Sequence, residues 1–97
     1  MDLKPNHRKL VQEILRKRLS ASSRVWVFGS RATGKSKPYS DLDLAIDQDT
    51  PMPFSLSAAL SLDFEESHLP FKVDIVDLKS ISEEFRRRIE NDKIPFC

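Results

Sequence analysis

The chain has 97 residues, 39% of them hydrophobic, and its 16 basic and 15 acidic side chains leave a formal charge of +1. That length makes one domain, residues 1–97, with a single thin core that buries roughly two-thirds of its unfolded surface at best. The balanced charge argues against a dedicated nucleic-acid binder, which would be strongly basic.

Pro5 suits the first turn of a helix, where its fixed φ helps and its missing N–H costs nothing. Leu10, Val11, Ile14, Leu15 and Leu19 then recur at helical spacing, predicting an amphipathic helix over about residues 5–20. Ser20-Ala21-Ser22-Ser23 is a polar break. Val25-Trp26-Val27-Phe28 is apolar on both faces, as in a central strand covered on both sides, and it ends at Gly29-Ser30. Lys35 to Ser40, with Pro38, reads as a loop. From Asp41 to Asp47 the pattern alternates, with Leu42, Leu44 and Ile46 on one face and Asp41, Asp43, Ala45 and Asp47 on the other. A second loop, Gln48 to Pro53, leads to a helix predicted to about His68 and stopped by Pro70. Phe71 to Asp77 is a third strand, with Phe71, Val73 and Ile75 opposed to Lys72, Asp74 and Val76. Ser80-Ile81-Ser82-Glu83 resembles a capping box opening a last helix to about Asn91. Ile94-Pro95-Phe96 could add a short edge strand.

Cys97 is the only cysteine, so the sequence offers no intramolecular disulfide or zinc site, which fits a reducing compartment. No apolar run approaches the ~20 residues that cross a bilayer, and Met1-Asp2-Leu3-Lys4-Pro5 has no apolar signal core. A cytoplasmic protein without membrane contact is the expectation.

The chemistry concentrates in two places. Gly29 and Gly34, the only glycines, bracket Ser30-Arg31-Ala32-Thr33, and a glycine lets backbone N–H groups approach phosphate oxygens. Asp41 and Asp43 share one strand face, and carboxylate oxygens suit Mg²⁺, which also keeps substrate phosphates and water as ligands. Taken singly, each feature has a plainer explanation: Ser30 as a helix cap, the aspartates as a solvated strand face, Asp74 as a salt-bridge partner of Lys72.

Taken together and in order, Gly29-Ser30-Arg31-Ala32-x-Gly34, Ser40-Asp41-x-Asp43-Leu44 and Val73-Asp74-Ile75 resemble the minimal nucleotidyltransferases (MNT) of the DNA polymerase β superfamily, over nearly the whole chain. The resemblance implies an α+β fold, a short mixed sheet flanked by helices, with helices mainly on one face and the carboxylates on the other. It implies an enzyme that moves a nucleoside monophosphate, AMP from ATP, onto a hydroxyl. By the same resemblance Asp41, Asp43 and Asp74 are the catalytic ligands of two Mg²⁺ ions, and Gly29 and Ser30 hold the triphosphate. Arg31 would be a further phosphate contact, and Lys37 and Ser40 could reach the phosphates from the loop.

Larger members of the superfamily carry a further domain for base and acceptor, so the second half of the site should come from another chain. Family members occur beside small helical HEPN proteins in toxin–antitoxin pairs, where the nucleotidyltransferase is the antitoxin and can adenylylate a tyrosine of its partner. The resemblance therefore implies a protein acceptor and a hetero-oligomer. Two alternatives stay open: a non-catalytic module that masks its partner by contact, and a small-molecule nucleotidyltransferase. Arg86-Arg87-Arg88 reads as a solvated helix face, because successive helical residues point in different directions. His7 and His68 are isolated, Trp26 reads as core, and Asp47, Asp49 and Asp77 read as strand-end or loop charges.

Overall fold

In the computed structural model of the chain, which describes residues 1–96, the elements in order are α1 (Pro5–Arg18), β1 (Arg24–Phe28), α2 (Ser30–Thr33), β2 (Leu42–Asp47), α3 (Phe54–Glu65), β3 (Val73–Asp77), α4 (Glu83–Asp92) and β4 (Ile94–Pro95). Cys97, with the expectations attached to its thiol, lies outside the described residues. Among those residues no helix is long and apolar enough to cross a membrane.

The strands form one mixed sheet in the order β3-β2-β1-β4. β1 runs antiparallel to β2 with Val27 opposite Leu44 and Phe28 opposite Asp43, and β4 adds antiparallel to the other side of β1. β2 and β3 are parallel, with Leu42 opposite Val73 and Asp43 opposite Asp74. A parallel pair needs a crossover, and α3 supplies it.

Because side chains alternate along a strand, this register sorts the sheet into two faces. Val25, Val27, Leu42, Leu44 and Ile46 point to the side where Val11 and Leu15 of α1 and Leu60 and Phe64 of α3 complete the main core. Fully burying a side chain of that size stabilises by about 1.5–3 kcal/mol, so this layer holds the fold. The opposite face is partly covered as well, since Ala45 packs with Ile89 of α4 and Leu78, and Trp26, Phe28, Val76, Ile81 and Phe85 surround them. Helices thus lie on both faces, and α4 closes part of the carboxylate side instead of leaving it bare. The two apolar faces expected for β1 are both used.

The last helix begins later than its sequence suggests. Ser82 is its N-cap and its hydroxyl accepts from the Phe85 N–H at 3.2 Å. Ser80 is drawn away, because its hydroxyl donates to Asp77 Oδ2 at 2.6 Å. Asp77 also accepts from the N–H groups of Met52 (2.7 Å) and Lys79 (3.0 Å), which makes it a structural tie between two loops.

Candidate active site

β1 delivers the chain to Gly29, which turns it at φ 76°, ψ −156° into the single turn of α2. That conformation belongs essentially to glycine. There is a second reason for glycine here: a Cβ on Gly29 would overlap Asp43 Oδ2, with Asp43 Cγ 3.3 Å away. The bare glycine backbone and the Asp43 carboxylate therefore lie against each other. α2 is closed by bonds from the N–H groups of Ala32 (3.1 Å) and Thr33 (3.2 Å) to the Gly29 carbonyl, and it ends at Gly34 in the left-handed region. The N–H groups of Ser30 and Arg31 precede the first of these bonds, as the opening N–H groups of a helix do.

The parallel register puts Asp43 and Asp74 side by side on one face, while Asp41 stands exposed just before β2 begins. The Asp43 carboxyl is pushed up to about 6, first by burial and then by the negative charges of Asp74 and Asp41. Among the described residues no lysine, arginine or histidine pairs with any of the three, and the Lys72–Asp74 bridge is not formed. Like charges gathered in a half-buried place without a counter-charge fit a hard divalent cation, which would favour the ionised forms. Among the described residues no three His, Cys, Asp or Glu side chains already close into a ligand cluster. The donor set has the right chemistry, and its members would draw together around an ion.

Arg31, expected to be a further phosphate contact, is engaged elsewhere in this structure. Its side chain is buried, at 5% exposure, and its donors are spent on carbonyls. Nε and Nη2 donate to Ser40 O at 3.0 and 2.9 Å, Nη2 to Pro38 O at 3.1 Å, and Nη1 to Asp2 O at 2.6 Å. The guanidinium lies over the Phe71 ring, 4.3 Å from its centre. The Ser40 hydroxyl is engaged too, accepting from the Lys37 N–H at 2.8 Å, so it braces the loop locally.

Sequence reasoning missed Asp2 and Phe71 as partners of Arg31, and nothing in their spacing signals it. The plainer readings of other residues agree with their contacts, except that Arg86 is partly buried and not on a solvated face. Arg86 donates to the Leu78 carbonyl, Arg87 pairs with Glu83 at 3.5 Å, and Arg88 is exposed. Asp47 pairs with Lys79 (3.6 Å) and Asp49 with Arg24 (3.8 Å). His7 meets the edge of the Phe71 ring.

The family described as Polymerase beta, Nucleotidyltransferase matches residues 9–97. A Haemophilus influenzae protein named probable protein adenylyltransferase MntA is 44% identical over 89 residues, which are 92% of this chain and 77% of that protein. The fold is similar to that of a chain in a crystallised toxin–antitoxin with AMP-PNP, with a TM-score of 0.78 at 22% identity over 93% of this chain and 72% of the other. It is also similar to a chain in a complex of tri-AMPylated Shewanella oneidensis HEPN toxin with MNT antitoxin, with a TM-score of 0.71 at 22% identity over 93% and 68%. At such identity these two likenesses speak to fold alone. The family match over residues 9–97, with a relative at 44% identity, settles membership: the chain belongs to the polymerase β family of nucleotidyltransferases.

Proposed function

We propose that the chain is a Mg²⁺-dependent protein adenylyltransferase that moves AMP from ATP onto a hydroxyl, a tyrosine of a small helical HEPN-type partner, and so acts as the antitoxin of a toxin–antitoxin pair. The observation that carries the chemistry is the pairing of Asp43 with Asp74 against the bare backbone of Gly29. The relative named as a protein adenylyltransferase supports a protein acceptor. The folds shared with HEPN-toxin complexes support the partner.

In this reading Asp41, Asp43 and Asp74 hold two Mg²⁺ ions, which when bound neutralise the triphosphate and stabilise the attacking and leaving oxygens. Gly29 and the Ser30 N–H and hydroxyl meet the β- and γ-phosphates, where the missing Cβ lets the backbone come close. The chain's own part in catalysis is positioning: the register of β2 and β3 sets two carboxylates on one face, and the Gly29 turn brings the phosphate-binding backbone against one of them. The acceptor oxygen attacks the α-phosphorus, its proton leaves to solvent or a carboxylate, and pyrophosphate departs.

The test is transfer of label from α-labelled ATP in Mg²⁺ to the purified HEPN-type protein, beside the Asp41→Ala, Asp43→Ala double variant. Labelled partner with the unaltered protein only is the expected result. An unlabelled partner, with the complex formed and ATP bound, would overturn protein adenylylation.

A further inference from the structure

We infer that Arg31 is a positioning residue of the donor site, whose buried guanidinium fixes where Asp41 stands relative to Asp43 and Asp74. The inference rests on the nucleotidyl-transfer reading above. Asp43 and Asp74 are set by the sheet, because they face each other in the β2–β3 ladder. Asp41 has no such support. It precedes β2, is exposed, and lies where ladder pairing stops with the bond from the Leu42 N–H to the Lys72 carbonyl at 2.9 Å.

What grips the chain immediately before Asp41 is Arg31. Two arms of its fork, Nε at 3.0 Å and Nη2 at 2.9 Å, converge on the Ser40 carbonyl, which belongs to the peptide joining Ser40 to Asp41. The same side chain holds Pro38 O and Asp2 O, and the Asp2 N–H returns a bond to the Arg31 carbonyl at 2.8 Å. Its flat face rests on Phe71, three residues before Asp74. One side chain, two residues beyond Gly29, thus touches the segments that lead to both other parts of the site.

The chemistry of the choice supports a positioning role. A buried cation with no carboxylate partner among the described residues is a costly way to fill space, and an apolar side chain would cover Phe71 without that cost. What only arginine supplies is a rigid planar fork, able to grip one carbonyl with two donors while stacking on a ring. Lysine keeps the charge but offers a point donor.

Two variants test this, each measured for thermal stability, for Mn²⁺ binding by electron paramagnetic resonance without nucleotide, and for label transfer to the partner with ATP varied. Arg31→Lys is expected to stay folded, to bind Mn²⁺ about tenfold more weakly, and to lose about 10–100-fold in kcat, as mutations behind metal ligands do. Its KM for ATP should stay within about threefold, since the guanidinium spends its donors on carbonyls and not on phosphate. Arg31→Met, which keeps the stem over Phe71 but no donors, should lose more in both. Wild-type Mn²⁺ affinity and kcat in Arg31→Lys would overturn the inference, leaving Arg31 a packing residue. A raised KM for ATP with kcat and Mn²⁺ affinity intact would overturn it in favour of direct phosphate contact. The Mn²⁺ measurement does not involve the acceptor. An unaltered protein that binds Mn²⁺ yet labels no partner would therefore sink protein adenylylation while still testing Arg31, and one without Mn²⁺ affinity would sink both.

Discussion

Gly29 and Asp43 occupy space that a single methyl group would make incompatible: a Cβ on the glycine would collide with the aspartate's Oδ2. Two residues fourteen positions apart are thereby coupled, one from the turn after β1 and one from β2. The coupling gives Gly29→Ala two separate costs. Leaving the glycine-only region costs about 1–3 kcal/mol, and the methyl displaces a carboxylate of the candidate metal face. Gly34 is the control, because it also has positive φ but a Cβ there would meet nothing within 4 Å. Gly34→Ala should cost about 1 kcal/mol through backbone strain and leave transfer nearly intact. Gly29→Ala should lower transfer about a hundredfold or more. Thermal melts and label transfer on the two variants check the difference, and equal loss of activity would refute the coupling.

The raised Asp43 carboxyl makes a pH prediction whose direction is opposite to ordinary acid unfolding. Its folded pKa of about 6 lies above the ordinary value of 3.8, so the folded state binds its proton more tightly than the unfolded one. Folding stability from this group therefore rises as pH falls from above 6 toward 4, and is lost as pH climbs through 6. Two pKa units correspond to nearly 3 kcal/mol, but the carboxyl is partly solvated and screening reduces this to about 1 kcal/mol. Asp63 and Asp77, held below the usual carboxylate range, act the other way and only at lower pH. Burial opposes ionisation of Asp77, and its hydrogen bonds from Ser80, Met52 and Lys79 outweigh that. For Asp63 the hydrogen bond from Arg18 is the main cause. At pH 5, one unit below the folded value, roughly half of this contribution is present, so melting the unaltered protein at pH 5 and pH 7.5 should show higher stability at pH 5 by about 2–4 °C. Asp43→Asn should remove most of that difference by gaining stability at pH 7.5. Mg²⁺ should raise the melting point at pH 7.5 in the unaltered protein and not in Asp43→Asn.

Removing Asp41 and Asp43 together separates chemistry from architecture. Asp41 is exposed and outside the sheet, and Asp43 is destabilised by its neighbours, so neither holds the fold. The Asp41→Ala, Asp43→Ala double variant should keep its circular dichroism spectrum and melt no lower than the unaltered protein at pH 7.5. Transfer should fall about a hundredfold or more, as expected when metal ligands are lost. Transfer at the unaltered rate would rule out a metal-dependent role for the pair.

How much of this was legible beforehand follows from the kind of signal each feature leaves. Strand alternation over Leu42–Asp47 and Val73–Asp77 carried the two faces correctly: Leu42, Leu44, Ile46, Val73 and Ile75 pack in one cluster, and Ala45 and Val76 in the other. The apolar run Val25–Phe28 likewise announced a strand covered on both sides. The start of α4 was misread because two serines stand two apart before Glu83. Only the fold shows that Asp77 claims the Ser80 hydroxyl and leaves Ser82 to cap. The contacts of Arg31 were not legible for a deeper reason. An arginine beside a glycine turn suggests an anion, whereas the partners it has here are carbonyls contributed by Asp2, Pro38 and Ser40, and carbonyls have no sequence signature.

Asp74 and Asp77 lie on the same strand and should fail in opposite ways. Three positions apart, they point to opposite faces of β3. Asp74 is exposed, unpaired among the described residues, and set beside Asp43. Asp77 is partly buried and accepts from the Met52 and Lys79 N–H groups and the Ser80 hydroxyl. Asp77→Ala strips three donors of their acceptor, which costs about 1–3 kcal/mol and should lower the melting point by about 4–8 °C per kcal/mol. It touches none of the carboxylate face, so transfer below the melting range should stay within about threefold of the unaltered protein. Asp74→Ala removes a negative charge that opposes ionisation of Asp43, and should leave stability unchanged or slightly higher at pH 7.5 while transfer falls about a hundredfold. Melting curves and label transfer on the pair decide it. Loss of transfer in Asp77→Ala with Asp74→Ala active would move the catalytic carboxylate to the wrong face of the sheet and refute the site as drawn.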